Sequence, residues 1–186
     1  MKTLSLYPVE AIDHLVLPSD FTGASLNTPV LELVNDFKHS PPAIIDANTP
    51  ATGALEMMHH EHAKLKLVVD EKGELVGLIG LEQLSGQSMI RQVANGNSRH
   101  EIQVADLMRP RKQLKALAYQ QLQESTIADV IAALKSSGEQ YCLIIERDSH
   151  HIRGVISAQD IAERLHISLD INKAPTFLNI FDSLIS

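Results

Sequence analysis

The sequence predicts an α+β fold in which two copies of a strand–helix–strand–strand–helix unit pack as a pseudo-two-fold pair. The first observation is an internal repeat: Thr49 to Thr126 and Gly77 to Gly154 both span 77 positions, so the register agrees at both ends of the unit. The second is that each copy carries a helix-start signal followed by two branched, apolar runs around a short polar turn, which is a hairpin signature. The third is size. In a chain of 186 residues each half-repeat is too small to bury its own apolar faces, so the copies must pack on one another.

Taken in order, residues 1–27 form an N-terminal extension outside the repeat, and the first repeat spans 28–90. Pro41-Pro42 should stop a preceding helix. Ala43-Ile44-Ile45-Asp46 is then the leading strand. Thr49 suits an N-cap and Pro50 a first helical position, where its missing N–H costs nothing. Lys66 to Asp70 and Leu75 to Gly80 make the hairpin, and a second helix is expected from Leu81. A linker covers 91–113, with the basic run Arg109-Pro110-Arg111-Lys112 read as solvated. The second repeat spans 114–166, its leading strand lying somewhere in Leu114 to Gln123. Thr126 caps the next helix, with Asp129 three residues on as a capping-box echo. Cys142 to Glu146 and Ile152 to Ser157 form the second hairpin, and Ala158 to Leu165 the last repeat helix. Residues 167–186 are a tail whose apolar positions fall at near-helical spacing; it could cap the pair, swap onto a partner chain or dock another protein.

Composition narrows the function classes. The hydrophobic fraction is 44% and the charged fraction 21%, as in globular proteins. A net charge of −7 argues against a general nucleic-acid binder, which needs cations to neutralise phosphates. No apolar run approaches the roughly 20 residues a bilayer requires, and the N-terminus lacks a signal-peptide pattern. Cys142 is the single cysteine, embedded in an apolar run, and reads as a small buried hydrophobe in a cytoplasmic chain.

The segment Gly154-Val155-Ile156-Ser157-Ala158-Gln159-Asp160-Ile161 is a glycine, two apolar residues, a hydroxyl, two variable residues, an aspartate and an apolar residue. It stands at the end of a hairpin within a two-fold repeat, and Val104-Ala105-Asp106-Leu107-Met108 precedes the second copy. On these residues the chain resembles the CBS domain pair over roughly Thr28 to His166, a tandem of CBS-type β-α-β-β-α repeats. The resemblance implies a cleft between the modules that takes an adenine nucleotide. Ser157, where a strand runs into a helix, would face a phosphate, and the Asp160 carboxylate would accept from two ribose hydroxyls. Ala43 and the Ala63-Lys64-Leu65 edge would hold the base, with Val155 below it. The bland alternative is that Ser157 only N-caps its helix while Asp160 favours the helix dipole.

The first copy departs from the pattern, with Gly80 in place of the hydroxyl and Gln83 in place of the aspartate, so one competent cleft per chain is expected. Tyr141 stands where some relatives carry a basic residue for phosphates, which favours AMP or another adenosyl compound over ATP. The resemblance thus implies a regulatory sensor of energy state or metabolites rather than an enzyme, with no required cofactor and with homodimers as the default assembly. The alternative is a structural or adaptor protein with vestigial clefts that mediates dimerisation or binds a protein partner.

No catalytic constellation stands out: there is no Gly-x-Ser-x-Gly elbow, P-loop or His-Glu-x-x-His helix. His59-His60-Glu61-His62 invites a metal reading, yet a lone local cluster at a helix end is more simply a solvated terminus. Met57 and Met58 are expected in the core or the module interface.

Overall fold

The structure, a computed structural model, describes residues 8, 10–11, 24–96, 98, 101–136, 138–167 and 175–185. After a 3-10 turn at Val30–Leu33, the order is β1 (Asn35–Asp36), β2 (Ile44–Asp46), α1 (Ala51–His60), β3 (Leu65–Val69), β4 (Leu75–Gly80), α2 (Gly86–Ala94), α3 (Val104–Leu107) and β5 (Arg109–Pro110). There follow β6 (Ala116–Ala118), α4 (Tyr119–Leu122), α5 (Ile127–Leu134), β7 (Tyr141–Glu146), β8 (His151–Ser157), α6 (Ala158–Arg164) and α7 (Phe177–Ile185). Two four-stranded sheets result, ordered β2-β3-β4-β5 and β1-β8-β7-β6. In each, a parallel pair leads into an antiparallel hairpin, and both hairpins shift register at matching points, Val68/Val69 and Ile144/Ile145. The expected α+β pair of repeats is therefore the observed fold. No described helix is long and apolar enough to cross a membrane.

Alternation along the central strands builds three apolar layers. Val68 points toward the helices of the first module and joins Ile45, Ala54, Met58 and Ile79 in one core. Cys142 and Ile144 do the same in the second module with Val130, Ile131, Ile156 and Ile161. The opposite faces meet each other, where Leu67, Leu75, Leu78, Leu143 and Val155 form a layer between the sheets. Each such side chain contributes roughly 1.5–3 kcal/mol by leaving water.

Residues 28–36 are grouped by sequence with the first repeat, but they attach to the second. Val30 is fully buried in the second module's core, and its N–H donates to the Ser125 carbonyl at 3.1 Å. β1 pairs antiparallel with β8, Asn35 opposite Val155 and Asp36 opposite Gly154. The run Arg109-Pro110-Arg111-Lys112 is likewise no solvated linker: β5 completes the first sheet, with Pro110 opposite Gly77, and proline is tolerated there because β5 is an edge. Each sheet is thus closed by a strand from outside its own repeat. Glycine makes both closures possible. A Cβ on Gly77 would lie 2.6 Å from the Arg109 carbonyl oxygen, and one on Gly154 would lie 2.6 Å from that of Asn35.

Arg153 locks one of the two crossings. Its Nε donates to Asp36 Oδ1 at 2.7 Å, Nη2 to Asp36 Oδ2 at 3.0 Å and Nη1 to Glu146 Oε1 at 3.0 Å, while the guanidinium lies 4.2 Å from the Tyr119 ring centroid. That bidentate bond holds the Asp36 carboxyl below the usual carboxylate range and raises Arg153 further.

Helix ends show where local signals held. Thr126 forms a full capping box with Asp129, whose Oδ2 accepts from Thr126 N–H at 2.8 Å. Thr49 does not cap α1. Pro50 occupies the N-cap, and Thr49 instead offers its carbonyl to Val104 N–H at 2.9 Å. The helix expected from Leu81 begins only at Gly86, because Gly80 to Ser85 closes into turns. In the tail, α7 packs on α5 and α6 of the second module, burying Phe177 and Ile180 completely. Met58 is core, whereas Met57 is 40% exposed.

Two glycine substitutions check this packing. Gly154→Ala should cost about 1–3 kcal/mol, as overpacking against fixed backbone does. Gly53→Ala, in the first turn of α1 with nothing within 4 Å of the added carbon, should instead gain up to about 0.5–1 kcal/mol. Denaturant unfolding of both variants is the measurement.

Candidate functional site

The β8–α6 junction is set by sequence. β8 ends at Ser157, whose backbone is extended, and α6 starts at once because the Ser157 Oγ accepts from Asp160 N–H at 3.0 Å. Ser157 is buried, while Asp160 stands at the rim of a cleft between the two sheets. Asp160 meets water only from the open side, and desolvation by the walls raises its carboxyl above the usual range. A Ser157 hydrogen bond opposes the rise, Glu163 adds to it and Lys64 reduces it.

The cleft is open to solvent, with a cavity volume of about 130 Å³. The first module lines it with Ala43, Lys64, Leu65 and Leu67, and the second with Tyr141, Val155, Ser157, Gln159 and Asp160. β1 and its exit contribute Asn35 and Phe37. Six of the seven residues singled out from sequence therefore come together: Ser157, Asp160, Val155, Ala43, Lys64 and Leu65. Ala63 does not line the cleft.

Ala63 closes α1. Its N–H donates to the Met58 carbonyl at 2.9 Å and that of His62 to His59 at 3.2 Å, with His62 left-handed at φ 53°. This is a Schellman end. His166 ends α6 in the same way, at φ 53°, with Ile167 N–H donating to Ala162 at 2.9 Å. The histidine run is thus a helix terminus, and among the described residues no group of three or more His, Cys, Asp or Glu could hold a metal.

Asn35 and Phe37 were not found by reading the sequence. β1 is two residues long, and its partners lie 118 and 120 positions away (Asp36 to Gly154, Asn35 to Val155), beyond any local pattern. The available signal was Gly154, since a glycine inside a strand often marks close backbone approach.

The pseudo-symmetric cleft differs. Its cavity volume is about 30 Å³, and it presents Gly80 and Gln83 where the other presents Ser157 and Asp160. Gln83 folds back so that its Oε1 accepts from Gly80 N–H at 2.9 Å. Arg109 and Glu139 form an ion pair in its wall, and Gln140 Nε2 donates to Glu82 Oε2 at 2.6 Å. Most of its polar groups are engaged with one another, while the buried Arg109 Nε has no hydrogen-bond partner. Tyr141 lines both clefts, and burial, then the charges of Asp160 and Glu82, push its phenol up to about 12. Cys142, one residue on, is buried in β7 and also pushed up to about 12 by burial, which leaves it an unreactive thiol.

The CBS domain family profile matches residues 34–86. Similar solved structures include a conserved CBS-domain protein of unknown function from Thermoplasma acidophilum (TM-score 0.55, 19% identity, 86% of this chain and 77% of that one). The chain folds as a CBS domain pair. An uncharacterised conserved protein from Pyrococcus horikoshii is also similar (TM-score 0.54, 16% identity, 78% and 98% covered). So is CBSX2, from Arabidopsis thaliana, in a complex with AMP (TM-score 0.52, 14% identity, 73% and 94% covered). A sequence search of curated proteins finds no match.

The Ser157 cap and the Asp160 charge can be probed by separate substitutions, linked by the Ser157 hydrogen bond. Ser157→Ala should cost about 0.5–2 kcal/mol for the lost cap, and more where Asp160 is ionised, because the Ser157 hydrogen bond also favours that form. Asp160 has a raised folded-state value, so its ionised form opposes folding above that value and the penalty is relieved as pH falls through it. Asp160→Asn should therefore raise the Tm slightly at neutral pH, and the gain should disappear below the usual carboxylate range. Melting curves across pH measure both effects.

Proposed function

We propose that the chain is a regulatory module that senses energy state or a metabolite by binding AMP or another adenosyl compound in the Asp160 cleft, one ligand per chain. The observation that carries this reading is the pairing of Asp160 and Ser157 on one wall with a small apolar wall, Ala43 and Leu65, on the other. A flat base fits between Ala43, Leu65 and Val155, with Phe37 available as an aromatic edge. The Asp160 carboxylate, acceptor-only when ionised, suits the two ribose hydroxyls. The AMP held by the similarly folded CBSX2 supports the ligand class. The second cleft, closed by Gln83 and the Arg109–Glu139 pair, supports a single site.

Sensing requires that the ligand bind one arrangement better than another, and it can shift the balance by no more than that difference. A ligand here would touch both modules and the β1 crossing, so it would bear on how the sheets pack. The role is regulatory rather than catalytic, and a cytoplasmic setting suits the lone thiol of Cys142. A homodimer suits the surface of the first module. Met57, Ile90 and Val93 are 40%, 69% and 44% exposed on α1 and α2, whereas α7 covers the matching helices of the second module.

The test is a thermal-shift and calorimetric titration of wild type and Asp160→Ala with AMP, ADP, ATP and S-adenosylmethionine. A saturable shift with at least one ligand is expected, near 2.7 kcal/mol at about 100 times Kd, and lost in a variant that remains folded. No shift at millimolar concentrations would leave the adaptor reading, in which the clefts are vestigial and the exposed α1–α2 face serves a partner.

A further inference from the structure

The charged groups at the cleft carry one more step, which rests on the adenosyl reading above. Among the described residues lining it, Lys64 and Asp160 are the charged ones. Lys64 is not idle: its Nζ lies 3.2 Å from Glu163 Oε1 on α6 of the other module. The same Oε1 accepts from Gln159 Nε2 at 2.8 Å, so Glu163 is steered toward the cleft mouth from its own helix. Lys64 also interacts favourably with Asp160, and therefore stands between two carboxylates. The Ser157 hydroxyl, the other group suited to a phosphate, is engaged at both ends by Asp160: its oxygen accepts the Asp160 N–H and its O–H favours the Asp160 carboxylate. With Glu163 counted, two negative charges face one positive charge.

We propose that Glu163 sets the charge class of the ligand: by holding Lys64 it leaves the cleft without a cation to offer a phosphate, so the site prefers adenosyl compounds whose substituent is neutral or cationic. Each added phosphate then enters a field that opposes it, and binding weakens from adenosine to AMP to ATP. A sulfonium such as that of S-adenosylmethionine adds a favourable charge near Asp160 and Glu163. Glu163 does not line the cleft, and it acts through Lys64 as a positioning residue.

Calorimetry at low salt without magnesium, with adenosine, AMP, ATP and S-adenosylmethionine on wild type, Glu163→Gln and Glu163→Gln in a Lys64→Ala background, tests this. The pair is exposed at both ends, 56% and 61%, so the substitutions should leave the fold intact. Glu163→Gln should tighten AMP by about two- to fivefold, the range of an exposed ion pair, while adenosine stays unchanged. Lys64→Ala should erase that gain. AMP and adenosine changing together, or ATP binding wild type more tightly than adenosine, would overturn the charge assignment while leaving the adenosyl site standing. Failure of all four ligands to bind wild type would overturn the site itself.

Discussion

Each sheet of this protein is finished by a two-residue strand that lies, in sequence, outside that sheet's own repeat. β1 crosses to the second sheet and β5 to the first, and both lie against a glycine whose missing side chain lets two backbones meet. Nearly everything else depends on that exchange. It prevents either repeat from closing alone, brings the apolar faces of the sheets together around Leu67, Leu78, Leu143 and Val155, and carries Asn35 and Phe37 into the cleft. The bidentate Arg153–Asp36 bond adds directional strength to one crossing only. That crossing is the one beside the cleft with Asp160.

Two clefts made by one symmetry operation have diverged through a few side chains. In one, a hydroxyl at the end of β8 accepts the amide of the residue three further on, which leaves the Asp160 carboxylate facing open space. In the other the direction is reversed. Gln83 reaches back to the amide of Gly80, and the side chain that would have faced a ligand is spent on its own turn. The Arg109–Glu139 pair then fills the wall. The same fold thus holds one cleft with a carboxylate facing open space and one whose polar side chains largely pair with each other.

Most of the fold was legible because its signals are local or repeat. The capping box at Thr126, the hairpin turns and the 77-residue register need only neighbouring residues. The motif at Gly154 to Ile161 named Ser157 and Asp160, and both reach the cleft. What escaped the sequence is non-local. Residues 28–36 and 109–110 look like spacer until their partners, Gly154 and Gly77, are seen across the sheet. Thr49 looked like a cap, but the arriving segment at Ile102 to Val104 takes the backbone groups at that end. Ala63 was placed on the base edge by the family resemblance, yet the left-handed turn at His62 commits it to closing α1.

The central claim is that one cleft, not two, accepts an adenosyl ligand. The direct measurement is an amide chemical-shift map of the isotopically labelled chain titrated with adenosine. Saturable shifts grouped at Ala43, Leu65, Gln159 and Asp160, with Gly80, Gln83 and Gln140 unmoved, are the result this account predicts. Shifts centred on Gly80 and Gln83, or equal shifts in both clefts, would contradict it.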